Sequence, residues 1–131
     1  MATRRDDEQP AATGTWGWRF HHVGVPTAQS RPGEQYLDTF KVHVSGFETS
    51  AYGVQWMRYE PDSRVHELIK SVPHVAFEVD DLDAALQGKD ILTPPNSPSV
   101  GVRVAMIVEN GCPIELIEFD RKRKEPAGKG V

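Results

Sequence analysis

The stretch SVPHVAFEVDDLDAAL, residues 71–86, decides the fold. It places a histidine at the front of an apolar run, ends that run in acids, and continues into a segment with helical spacing. RFHHVGVPT, residues 19–27, begins the same way, with His, Val, a small residue and an apolar residue. The match sets His22 opposite His74, an offset of 52 residues. A second match, VQWMRY (54–59) against IELIEF (114–119), sets Gln55 opposite Glu115 at an offset of 60. Where an internal repeat exists, it decides the architecture. Here it predicts one unit written twice, with the second copy longer between its landmarks.

Working outward, WRFHHVGVP (18–26) reads as a strand ended by Pro26, and TAQSRPGEQ (27–35) as a loop. EQYLDTF (34–40) suits a short helix, and KVHVSGF (41–47) and GVQWMRYE (53–60) alternate as strands. PDSRVHELIKS (61–71) reads as a linker with a helical turn. In the second copy PHVAFEV (73–79) is a strand, and Asp80 or Asp81 is an N-cap for a helix over LDAALQGK. DILTPPNSPSVG (90–101) reads as a short strand and a Pro/Ser loop that borders the site. VRVAMIV (102–108) and CPIELIEF (112–119) are strands joined through the hairpin signal ENG. The expected organisation is a disordered tail over 1–17, a first module over 18–60, a linker over 61–71, a second module over 72–120 and a disordered tail over 121–131.

The 131 residues suit one domain able to bury a core, and 38% hydrophobic with 26% charged is ordinary for a soluble protein. A net charge of −4 argues against a nucleic-acid surface, and RKRK (121–124) reads as a solvated tail. The single cysteine, Cys112, permits no internal disulfide and reads as a small turn residue. No apolar run approaches the ~20 residues of a membrane span, and the opening MATRRDDEQPAATG has no apolar region of a secretory leader. A cytoplasmic location is expected.

Side chains alternate along a strand. Gln55, Met57 and Tyr59 therefore share one face, and Glu60, a tempting ligand, falls on the other. His74 lies with Ala76 and Glu78, His22 with Phe20 and Gly24, and Glu115 with Ile117 and Phe119. His21 is expected to face away from His22, and His43 and His66 to be surface or second-face residues. If two curved half-sheets meet across a pseudo-two-fold axis, His22, Gln55, His74 and Glu115 converge. Two imidazoles, an amide oxygen and a carboxylate suit a divalent ion such as Zn, Ni, Co, Mn, Fe or Mg with positions left open. With one anionic ligand, the ion keeps about one positive charge and can polarise a carbonyl.

These residues resemble the vicinal oxygen chelate superfamily, which includes glyoxalase I, methylmalonyl-CoA epimerase, extradiol dioxygenases, and fosfomycin and bleomycin resistance proteins. The resemblance covers about residues 18–120 and is carried by HVAFEVDDLDAAL, GCPIELIEF and, more weakly, HHVGVP. It implies an α+β fold of two βαβββ-type modules forming a cup-shaped half-barrel around a metal. The first half here is short, with one strand fewer and a stunted helix in EQYLDTF. The His/Gln/His/Glu set is similar to that of the glyoxalase I and epimerase branch. Homodimers are common in the family, so a homodimer acting on a small molecule is expected.

Three functions follow from this pattern. A metal-dependent isomerase or lyase would use an acid as base, with Glu115, Glu48 and Glu78 as candidates. An Fe(II) ring-cleaving dioxygenase would need two histidines and Glu115 but would leave the Gln55 position open. A non-catalytic drug-binding resistance protein would line its cup with aromatics, for which Trp56, Tyr52, Tyr59 and Phe119 are available.

Overall fold

The structure, a computed structural model, describes residues 3–120. Eight strands form one curled sheet in the order β2-β3-β4-β1-β5-β8-β7-β6. The first module holds β1 (Arg19–Pro26), β2 (Gln35–Leu37), β3 (Val42–Ser45) and β4 (Val54–Tyr59). The second holds β5 (His74–Glu78), β6 (Ile91–Ser99), β7 (Val102–Glu109) and β8 (Cys112–Phe119). In each module the first strand pairs parallel with the last, β1 with β4 and β5 with β8. The modules join through antiparallel β1 and β5, which makes the pseudo-two-fold axis. The result is the α+β half-barrel with one concave and one convex face.

Strand alternation assigns the two faces. Val104 and Met106 of β7 line the concave side, while Ala105 and Ile107 join Val79, Leu82, Leu86 and Leu116 in a buried convex cluster. The helices are short: α1 (Ala11–Gly14), α2 (Glu67–Ser71) and α3 (Leu82–Ala85). Helix α3 starts where Asp81 accepts a hydrogen bond from the Ala84 backbone at 3.1 Å. It covers less of LDAALQGK than expected, because Gly88 beyond it turns the chain at φ +73°. The hairpin β7–β8 closes through Asn110 and Gly111, both at positive φ, between the paired Glu109 and Cys112.

Four expectations need correction. EQYLDTF forms no helix. Gln35–Leu37 is strand β2, paired with Val42–Val44, and residues 38–41 turn back. A seven-residue helix is marginal on its own, and here the open edge of β3 offers backbone partners instead. The first module thus has all four strands and lacks its helix. Its convex face is covered by the 27–34 loop, pinned by the Arg31 guanidinium 3.9 Å over the Trp56 ring and by Glu34 accepting two bonds from Arg58 at 2.7 and 3.0 Å. Those bonds hold the Glu34 carboxyl at about 2.

The Pro/Ser stretch is likewise no loop. Residues 91–99 form the edge strand β6, paired to β7 through three register shifts, and prolines are tolerated at an edge or a bulge. The amino-terminal segment is not wholly disordered either. Helix α1 leads into Trp18, whose ring meets Phe77 at 5.8 Å and packs against the convex cluster. The carboxy-terminal tail over 121–131 lies outside the described residues. No helix among the described residues is long and apolar enough to cross a membrane.

Leu116 is 0% exposed at the centre of the convex cluster. Leu116→Ala is expected to cost about 2–5 kcal/mol in urea unfolding, as a cavity-forming core truncation.

Candidate metal centre

Two rows of residues cross the junction of the modules. In one, Gln55 on β4 pairs with Gly24 on β1, and Gly24 with His74 on β5. In the other, His22 on β1 pairs with Ala76 on β5, and Ala76 with Glu115 on β8. The pseudo-two-fold axis exchanges the rows. Each has a small residue in the middle, and the small residues make room for the imidazoles. A Cβ on Gly24 would collide with Cε1 of His74, so the ring occupies the space that a side chain there would fill.

The donors meet on one oxygen. Oε1 of Glu115 lies 3.1 Å from Nε2 of His74 and 3.4 Å from Nε2 of His22. One donor atom from each of these residues falls within 4.8 Å of the others, and no other such cluster occurs among the described residues. Burial alone would push the Glu115 carboxyl up, but bonding to His22 and His74 outweighs it and holds the group at about 2. Glu115 is therefore an anion at neutral pH. His22 and His74 are 6% and 2% exposed. Nδ1 of His74 is buried with no hydrogen-bond partner. That is a costly state for an imidazole, and it marks His74 as placed for something other than stability. Two buried imidazole nitrogens and an ionised carboxylate around one point, with Gln55 lining the same cavity, fit a divalent cation.

The cavity above these residues holds about 450 Å³. Val42, Val44, Met57, Val104 and Met106 give it apolar walls. Burial and the Glu115 charge push the Tyr59 phenol up, so it stays neutral where it borders the site. Thr93 and Asn96 of β6, and Arg64 and His66 of the connection before α2, add polar groups to the lining. The sequence placed the stretch holding Thr93 and Asn96 at the border of the site without singling out either residue, and it did not place Arg64 or His66 there. The register shifts of β6 break the alternation that would have revealed Thr93 and Asn96, and nothing periodic marks Arg64. Arg64 is exposed and has no ion-pair partner among the described residues.

The other candidates lie elsewhere. Glu48 is exposed in the β3–β4 connection, and Glu78 sits 3.3 Å from Arg19; neither lines the cavity. Glu60 bonds His43 at 2.6 Å. Among the aromatics, Trp56 packs under Arg31, Tyr52 is 84% exposed and Phe119 lies against His21, leaving Tyr59 in the cavity. His66 caps α2, its Nδ1 accepting from the Leu68 backbone at 3.0 Å. His21 departs from expectation. The β1–β5 register shifts between Phe20 and His22, which brings the His21 ring beside His22 with their Nδ1 atoms 2.8 Å apart.

No protein-family model matches the chain, and no curated protein matches it. Solved structures do. Methylmalonyl-CoA epimerase from Mycobacterium tuberculosis superposes with a TM-score of 0.55 at 23% identity, over 79% of this chain and 89% of that one. A hypothetical protein from Bacillus halodurans superposes with a TM-score of 0.61 at 16% identity, over 84% and 97%. The chain shares their fold. At these identities the likenesses speak of fold alone.

Gly24→Ala is expected to force the His74 ring off its site at an overpacking cost of about 1–3 kcal/mol. Thermal unfolding and the His74 imidazole resonances would show it; an unmoved ring would contradict the close approach.

Proposed function

We propose that this protein is a metal-dependent isomerase or lyase of the glyoxalase and epimerase type, working at the carbon beside a carbonyl of a small substrate. The convergence of His22, His74 and Glu115 on one point, at the floor of a cavity that Gln55 also lines, carries this reading. His22, Gln55, His74 and Glu115 would hold the ion. When bound, a divalent ion there supplies a positive charge that polarises a carbonyl and steadies the enolate formed beside it.

The chain's own residues do the rest. The apolar walls exclude water and strengthen the charge interactions inside. Arg64, at the rim with no ion-pair partner among the described residues, would meet an anionic group of the substrate. Among the three acids considered as a base, Glu115 is the one that lines the cavity. As a carboxylate it is a weak base, so it takes a proton only from a carbon already made acidic. The fold shared with an epimerase supports the reading. The apolar cavity also suits a binder of apolar molecules, which would need no metal. A fourth protein ligand at Gln55 counts against the dioxygenase, whose oxygen chemistry needs that position open.

Protein purified without chelator is expected to carry close to one equivalent of a divalent metal; less than about a tenth of an equivalent, with no rebinding, would end the reading. The loaded protein in D2O should exchange the α-proton of a 2-substituted acyl thioester or 2-oxo acid, followed by NMR. Glu115→Gln should slow that exchange by about 10²–10⁴-fold. Tight binding of an apolar ligand by metal-free protein, with no exchange on any such acid, would favour the binder.

A further inference from the structure

His22 has a ring partner behind it and His74 has none. The Nδ1 of His22 lies 2.8 Å from the Nδ1 of His21. The His21 ring is itself wedged between Phe47 and Phe119, at centroid distances of 5.3 and 5.6 Å. The irregular register between Phe20 and His22 turns two consecutive histidines toward each other. In the second module the position matching His21 is Pro73, which has no ring donor or acceptor, and Nδ1 of His74 is orphaned. The repeat therefore keeps both cup histidines but gives only one of them a support.

A bond between two Nδ1 atoms holds one proton, and its location decides what His22 can do. With the proton on His21, the His22 proton sits on Nε2 facing Glu115, and Nε2 has no lone pair to offer a cation. With the proton on His22 Nδ1, the Nε2 lone pair is free. Resting on the metal-centre reading above, we propose that His21 is a positioning residue. In the loaded protein its Nδ1 accepts the Nδ1–H of His22, fixing that ring's tautomer and direction so that Nε2 faces the cation. Ligating histidines commonly hand their second N–H to a carboxylate, a carbonyl or water. A neutral imidazole packed between phenyl rings does the same without adding a negative charge beside Glu115.

Two variants and one spectrum test this. His21→Phe keeps a ring between Phe47 and Phe119 but removes the acceptor. His21→Asn places an amide oxygen near the Nδ1 position. Zinc affinity, measured by chelator competition, is expected to fall by about 10–100-fold in His21→Phe and to recover in His21→Asn. In zinc-loaded wild type, ¹⁵N NMR should show the proton on His22 Nδ1 and none on His21 Nδ1. An unchanged affinity in His21→Phe, a His21→Asn as weak as His21→Phe, or a protonated His21 Nδ1 would each overturn the assignment. Should His21→Phe fail to fold, the wild-type spectrum decides. A wild type that takes up no zinc, nickel, cobalt or manganese instead overturns the metal-centre reading itself, which is a different result from wild type and His21→Phe binding equally.

Discussion

The antiparallel pairing of β1 with β5 is the constraint on which the rest depends. It sets His22 against Ala76 and Gly24 against His74, so two imidazoles that are far apart in sequence rise from neighbouring strands on one face. Shifting that register by a single residue would send every side chain of one strand to the opposite face. The convex cluster resists such a slip, because Phe77, Leu116 and Ile107 would then be moved toward the cavity. The apolar core behind the sheet thus fixes the polar cluster in front of it.

That arrangement carries a tension. Glu115 and His74 are largely withdrawn from water at the centre of the sheet, and the ring of His74 is only half satisfied. Replacing such a cluster with apolar residues of like volume often leaves a fold as stable or more so. The chain instead reserves Gly24 and Ala76 as a floor small enough to admit both imidazoles. Packing alone gives no reason for a glycine at the middle of a central strand.

Much of this was legible in the order of residues. Alternation along 53–60 predicted Gln55, Met57 and Tyr59 on one face and Glu60 on the other; the structure has the first three lining the cavity and Glu60 on His43. The His-Val match and the ENG turn were equally readable, since both express local backbone rules. What was hidden lay where local rules yield to pairing. Residues 35–37 carry a helical spacing but extend along β3. Thr93 and Asn96 sit among prolines that read as a loop, and their shifted register makes alternation useless there. The same kind of irregularity at Phe20 and His22 turned His21 toward its neighbour, and no spacing rule foretells a bulge.

The outermost strand has a consequence for assembly. Pro94, Pro95 and Pro98 lie in β6 at one margin of the sheet; neighbouring amides of a strand point to opposite edges, so the Pro94–Pro95 pair removes an amide from the outer margin as well as one from the side facing β7. A second chain cannot zip along that margin without interruption, so the exposed ribbon is shielded against runaway growth into fibrils. The opposite margin, β2, is three residues long, which leaves little for such growth to start from.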